Sequence, residues 1–267
     1  MRRVALTLRA DAVEDLLDEL LPRLPQGVYE LPLDDGLVEV AFYSDGPDGA
    51  ALDALAGDAL LAREEEEEVG DGADERRRRA GHAWEIAGQL RVRAPADAPG
   101  ADGLREIVIE PVTGAFGTGA HPTTRMTLEL LLRLEPEGGL VDLGCGAGVV
   151  AIAAVGLGWD PVFGVDVEQR AVDATTRNAE RNGVAVRAVQ ADLREVPPPP
   201  APALAANMPL YVHEHVAREL DPITRHVIAS GIVDDTAPAI LELYGAAGMS
   251  ERARMSENGW VALWLAR

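Results

Sequence analysis

Leu140-Val-Asp-Leu-Gly-Cys-Gly-Ala-Gly148 runs directly into the apolar stretch Val149-Val-Ala-Ile-Ala-Ala-Val-Gly-Leu157. The first four residues read as a buried strand, the next five as a glycine loop, and the remainder as a helix. Strand, glycine loop and helix in that order form a ligand cradle. Glycines let the backbone approach a ligand closely, and the helix N-terminus offers unsatisfied N–H groups to it. The loop spacing is Gly-x-Gly-x-Gly, and it is preceded by Asp142. A carboxylate there repels a pyrophosphate but suits a cationic sulfonium carrying an amino acid moiety.

Downstream, the apolar stretches 162–166, 186–189, 203–207 and 226–231 alternate with helical patterns. That alternation predicts a parallel sheet covered by helices on both faces. The end differs, because 249–255 and 260–265 flank Glu257-Asn-Gly259, and Asn-Gly is a strong hairpin turn. The expected fold class is therefore α/β, a Rossmann-like sheet of the class I methyltransferase type with a terminal antiparallel hairpin. A nicotinamide-binding sheet continues with parallel strands instead.

The acceptor groups of such a site lie at the strand ends. Asp166 closes the strand 162–166, 22 residues after Gly144, near the offset of about 20 expected for a ribose-binding acid. Asp192 follows the third strand, where it can accept from an adenine amino group or simply cap a helix. Asn207-Met-Pro-Leu-Tyr211 closes the fourth strand, and it reads either as an amide and turned carbonyls holding a substrate nitrogen or as an ordinary strand-to-helix turn. Upstream, Phe116-Gly-Thr-Gly-Ala-His-Pro-Thr-Thr124 leads into a helix expected over 125–134, with Thr123 or Thr124 as its cap and Phe116 available to stack on a ligand. His213-Glu-His215 has i, i+2 spacing, which puts the rings on different helix faces and disfavours a metal site.

The chain begins differently. Residues 3–9 alternate like a half-buried strand, Asp11 precedes a helical pattern, 27–33 and 37–43 flank Asp34-Asp-Gly36 as a hairpin, and a helix is expected near 49–62. The acidic run 64–68 and the basic run 76–79 read as solvated surface. Residues 89–93 form a last short strand, and the Pro/Gly/Asp-rich stretch after it reads as a linker. The expected division is a small α+β domain over 1–93, a linker over 94–104, and the larger domain over 105–267.

Composition narrows the classes. Forty-five acidic residues against 24 basic ones give a formal charge of -21, which repels nucleic acid phosphates and suits a basic protein partner or solubility alone. All of the basic residues are Arg. Cys145 is the single cysteine, which excludes a disulfide framework and Cys-rich zinc sites. With no long apolar run and no signal-peptide pattern, the chain is expected in the cytoplasm, away from membranes.

Together, Glu110-Pro-Val-Thr-Gly-Ala-Phe-Gly-Thr-Gly-Ala-His-Pro-Thr-Thr124, Asp142-Leu-Gly-Cys-Gly-Ala-Gly148, Gly164-Val-Asp166 and Asn178-Ala-Glu-Arg-Asn-Gly183 resemble the PrmA family, methyltransferases of ribosomal protein eleven of the large subunit. The resemblance is specific over about 105–267. It implies S-adenosyl-L-methionine as cofactor, a small domain that grips the basic ribosomal protein, and transfer of methyl groups to lysine and N-terminal amines. On matching positions it implies cofactor contacts at Thr124, Gly144, Asp166 and Asn207. Adding the residues read from the loops gives a cofactor set of Phe116, Thr124, Asp142, Gly144, Gly146, Asp166, Asp192 and Asn207. Asn207 is the expected catalytic residue, with no metal and no direct nucleic acid contact. Three other readings remain: transfer to another protein, a small molecule or RNA; a noncatalytic cofactor-binding module; and a nicotinamide dehydrogenase.

Overall fold

A computed structural model describes residues 2–9, 13, 16, 29–32, 37–44, 56–66, 83–100, 103–110 and 121–267. They belong to two compact units, Met1–Ala80 and Gly81–Arg267.

The first unit is an antiparallel sheet of β1 (Arg2–Arg9), β2 (Tyr29–Pro32), β3 (Leu37–Ser44) and β4 (Leu60–Glu66) in the order β2-β3-β1-β4. Val4, Leu6, Leu8 and Val40 bury one face of it with Val13 and Leu16, giving the alternation that a one-sided sheet requires. The expected strand 3–9 and the pairing of 27–33 with 37–43 are present, the latter over Tyr29–Pro32 and Val38–Ala41; the turn between them lies outside the described residues. The helix expected near 49–62 is corrected over its last residues, because Leu60–Glu66 is a strand paired with β1. Its local Ala/Leu composition favours a helix, but β1 offers an open edge, and long-range pairing overrides propensity. Part of the acidic run therefore lies in an edge strand, where charge discourages pairing with another chain.

In the second unit β5 (Trp84–Ile86), β6 (Leu90–Arg93) and β7 (Arg105–Val108) form a small sheet, β5 antiparallel and β7 parallel to β6. The division thus falls earlier than the linker expected over 94–104. That stretch joins two paired strands of one sheet. Arg93 explains how its beginning is held: the guanidinium donates to the carbonyls of Ala94 (3.2 Å) and Asp97 (3.1 Å) and pairs with Glu106 (2.8 Å).

The main sheet has seven strands: β8 (Leu140–Leu143), β9 (Val162–Asp166), β10 (Val186–Gln190), β11 (Ala203–Asn207), β12 (His226–Val233), β13 (Ser250–Glu257) and β14 (Trp260–Ala266). Their order is β10-β9-β8-β11-β12-β14-β13. The first five are parallel, and the last two form the antiparallel hairpin that Asn258-Gly259 predicts. Among the described residues five helices cover the sheet: α1 (Pro122–Leu131), α2 (Val149–Leu157), α3 (Gln169–Arg181), α4 (Leu210–Arg218) and α5 (Ala237–Ala246).

Alternation along the strands sorts the helices. Ala203, Ala205, Ile228 and Ala262 face the core formed with α1 and α2, whereas Leu204, Ala206, Val227, Ala229, Val261 and Leu263 face α4 and α5. Small residues on the first face let α1 pack close. Each fully buried Leu, Ile or Val contributes about 1.5–3 kcal/mol on either side.

From β8 the chain moves outward to β9 and β10, then returns to place β11 on the other side of β8. The order therefore reverses between β8 and β11. A crevice opens at such a switch point, beyond the carboxyl ends of the strands, and ligands bind there in open α/β sheets.

Candidate active site

The glycine loop follows β8, at one wall of this crevice. It is strapped to β9 by hydrogen bonds from the N–H of Gly144 (2.8 Å) and Cys145 (3.0 Å) to the Val165 carbonyl. Gly148, the N-cap of α2, has φ 86°, a left-handed conformation that a side chain disfavours. A Cβ there would lie 3.0 Å from the Thr175 Cα. The loop therefore needs glycine both for its turn and for packing against α3.

Two carboxylates organise the loop. Asp142 is 3% exposed, and its Oδ2 accepts from the Ala151 N–H at 3.0 Å. It thus satisfies one of the orphan donors in the first turn of α2. Burial, aided by the nearby charge of Asp166, pushes Asp142 up to about 7. Asp166 accepts from the N–H of Gly146 (2.9 Å) and of Glu168 (3.0 Å). The Val167 backbone N–H also hydrogen-bonds to the carboxylate, which keeps some acceptor capacity for a further donor, and burial raises its pKa as well. Two carboxylates held out of water beside a glycine loop disfavour more negative charge and favour a cation.

Asp192 sits apart in its interactions. Arg194 clamps its carboxylate, with Nε at 2.9 and 3.1 Å and Nη2 at 2.5 Å, and donates its own N–H at 2.9 Å. These bonds hold Asp192 down at about 2. No helix follows Asp192, so the helix-cap reading is corrected: its carboxylate closes a turn by accepting from the Arg194 N–H instead, and its remaining acceptor capacity is reduced. Phe116 lies outside the described residues.

The opposite wall is built on β11. Asn207 ends that strand, and its Nδ2 lies 3.4 Å from Thr124 Oγ1. Among the described residues no group donates to Asn207 Oδ1. Thr124 stands in the first turn of α1, which starts three residues earlier than the expected 125–134 and is capped by His121 rather than by Thr123 or Thr124. Pro122 explains the shift, because proline suits the first helical position, where an N–H has no partner anyway. With the cap supplied by His121, the hydroxyl of Thr124 is released toward Asn207. His121 is held down at about 4 by burial and by Arg125, and packs edge-on against Trp260 at 5.1 Å.

Three residues here escape sequence reasoning: Trp260, Ser230 and Gly231. The Met208 N–H donates to the Ser230 carbonyl at 3.0 Å, and the register of β12 against β14 shifts between Ala229 and Ile232. Gly231 has φ 79°, and a Cβ on it would stand 2.7 Å from Met208 N and 2.9 Å from Asn207 Oδ1. A lone glycine inside a strand pattern is the signal that marks such a bulge. Gly231→Ala should cost about 2–4 kcal/mol in backbone strain and overpacking, lowering the melting temperature by roughly 5–15 °C. An unchanged melting temperature would contradict this packing.

His213 and His215 do not form a pair. Both ring nitrogens of His213 are engaged, with Tyr244 Oη and the Ser230 carbonyl, each at 3.0 Å.

Residues 93–267 match the family described as ribosomal protein L11 methyltransferase (PrmA). Curated relatives of that description include one from Parasynechococcus marenigrum, 35% identical over 191 residues and covering 67% of this chain and 66% of the relative. Another, from Thermus thermophilus, is 38% identical over 162 residues, covering 59% of this chain and 63% of the relative. The chain thus spans slightly less than two thirds of the length of these relatives. A solved structure described as ribosomal protein L11 methylase, from Lactobacillus delbrueckii subsp. bulgaricus, aligns over 70% of this chain and 98% of its own with a TM-score of 0.62 and 24% identity. That likeness establishes the shared fold.

Proposed function

The chain belongs to the ribosomal protein L11 methyltransferase (PrmA) family, and from that premise we propose that it is an S-adenosylmethionine-dependent N-methyltransferase acting on lysine or N-terminal amines of a large-subunit ribosomal protein. The observation that carries this reading is the pairing across one crevice of a glycine loop flanked by buried carboxylates with the open acceptor oxygen of Asn207.

The residues fit the cofactor. Gly144 and Gly146 present bare backbone. Asp142 has one oxygen with no donor among the described residues and faces the requirement of a cationic sulfonium and α-ammonium. Asp166 keeps acceptor capacity for a ribose hydroxyl. Thr124 and Asn207 close the far side, and Asp192 contributes whatever acceptor capacity Arg194 leaves. The bound cofactor supplies an electrophilic methyl group on a positive sulfur, so the protein needs no nucleophile of its own.

The protein's part is to orient a neutral amine in line with that methyl group. A lysine side chain with its ordinary pKa near 10.4 loses about 4–5 kcal/mol to protonation at pH 7. Desolvation in the crevice lowers that cost. Asn207 Oδ1 and the carbonyls beside it accept from the amine N–H groups, pointing the nitrogen lone pair at the methyl carbon. Water takes the released proton.

In this reading the small N-terminal unit grips the ribosomal protein, and the formal charge of -21 favours such a basic partner over RNA. Its place of action is the cytoplasm, and no helix among the described residues is long and apolar enough to cross a membrane. The test is transfer from radiolabelled S-adenosylmethionine into large subunits from an unmethylated source. One labelled ribosomal protein is expected. Label in the ribosomal RNA, or cofactor binding with no label anywhere, would overturn the assignment.

A further inference from the structure

We propose that His213 and Tyr244 are positioning residues for Asn207, forming a buried hydrogen-bond chain that fixes the bulge of β12 on which the Asn207-Met208 backbone rests. The proposal depends on the role given to Asn207 above.

His213, Ser230 and Tyr244 are all fully buried, between α4, β12 and α5. A carbonyl can only accept, so the His213 nitrogen facing Ser230 O, Nε2, carries the proton. Nδ1 then receives the Tyr244 O–H, and the backbone of Met208, the residue after Asn207, also hydrogen-bonds to the ring. Burial holds His213 down at about 4, so the ring stays a neutral donor.

The Ser230 carbonyl gathers two donors, the His213 ring and the Met208 N–H, each at 3.0 Å. The Ser230 hydroxyl is within reach of the carbonyls of Thr123 (3.3 Å) and Val261 (3.4 Å). Thr123 neighbours Thr124, whose Oγ1 meets the Asn207 amide. Asn207 is therefore held from both sides by groups that converge on Ser230: its following peptide through the carbonyl, its side chain through the first turn of α1. Gly231 leaves no slack in this contact, because even a methyl group would touch Met208 N and Asn207 Oδ1.

An apolar side chain in place of His213 would fill the space and leave the Ser230 carbonyl with one donor fewer. A fold needing only packing has no use for the polar pair, whereas a site needing a fixed carbonyl does.

The test compares His213→Leu, His213→Gln and Tyr244→Phe. A glutamine amide reaches about where Nε2 stands and restores a donor to Ser230 O. The Asn207 side-chain amide, identified in nitrogen-proton spectra by its loss in Asn207→Ala, should shift or broaden in His213→Leu and return in His213→Gln. With a methyl-accepting substrate, kcat should fall about 10- to 100-fold in His213→Leu and about fivefold in Tyr244→Phe, with cofactor Kd within twofold of wild type, and His213→Gln should recover most of the loss. An unmoved Asn207 amide in folded His213→Leu would overturn the proposal. So would a folded His213→Gln as impaired as the leucine variant. If wild-type protein transfers no methyl group, the functional assignment fails, and the amide resonance still decides the positioning role. Should His213→Leu not fold, the amide resonance in Tyr244→Phe and His213→Gln decides it: a shift in the first with a wild-type position in the second supports the chain, and any other pattern overturns it.

Discussion

Asn207→Ala is expected to lower kcat for methyl transfer by about 100- to 1,000-fold, in the range found when one preorganised polar contact to a reacting group is removed, while cofactor affinity falls no more than a few fold. The asymmetry follows from the two ends of the amide. Nδ2 makes a long bond to Thr124, so its loss disturbs the pocket little, whereas Oδ1 is the acceptor left open for the incoming nitrogen. Asn207→Asp separates charge from geometry. It keeps an acceptor but binds the protonated amine, so its kcat should recover as pH rises. Titration calorimetry with cofactor alone, beside single-turnover transfer, measures both quantities. Equal losses in affinity and turnover would make Asn207 a binding residue only.

Asp142→Asn should have opposite effects on stability and on binding. Burial drives Asp142 up to about 7, opposed by the Ala151 N–H. A carboxyl whose folded pKa exceeds its ordinary 3.8 leaves the folded state holding the extra proton. Its contribution is fully present below about pH 4 and is lost as pH rises through 7. That difference corresponds to at most about 4 kcal/mol. Asparagine is isosteric, still accepts from Ala151 and never ionises, so the cofactor-free variant should melt several degrees above wild type at pH 8, by less than half as much at pH 5, and close to it at pH 4. Binding moves the other way. A sulfonium and an α-ammonium draw Asp142 into its charged form, so wild-type affinity should rise between pH 6 and 8 with release of a proton. The variant should bind at least tenfold more weakly at pH 8, without that pH dependence. Calorimetry in buffers of different ionisation enthalpy counts the proton. Binding that is independent of pH in both proteins would remove Asp142 from the cofactor site.

The sequence makes one part of this arrangement legible, the part set by local signals. Leu140-Val-Asp-Leu143 followed by three spaced glycines has one good reading, and so has Asn258-Gly259 between two alternating runs; both elements stand where they are expected. Asp166 and Asn207 are legible because each closes an apolar strand. The remainder depends on contacts between distant residues. Leu60–Glu66 has the composition of a helix end and becomes a strand because β1 has an edge to pair. Pro and Gly around 94–104 announce a loop, but not that β6 and β7 pair across it. His121 takes the helix cap from Thr124, which frees that hydroxyl for Asn207. His213 looks like half of a weak metal motif, and its partners Ser230 and Tyr244 lie 17 and 31 residues further along the chain.

The most direct test of the central claim, that this crevice presents a neutral amine to the methyl group, is mass mapping of the acceptor atoms. The substrate would be the large-subunit ribosomal protein labelled by the wild-type enzyme. The account predicts methyl increments confined to lysine side chains and the N-terminal amine, absent from the product of Asn207→Ala. Methyl groups on arginine, glutamine or carboxylate oxygens, or an undiminished yield from Asn207→Ala, would contradict it.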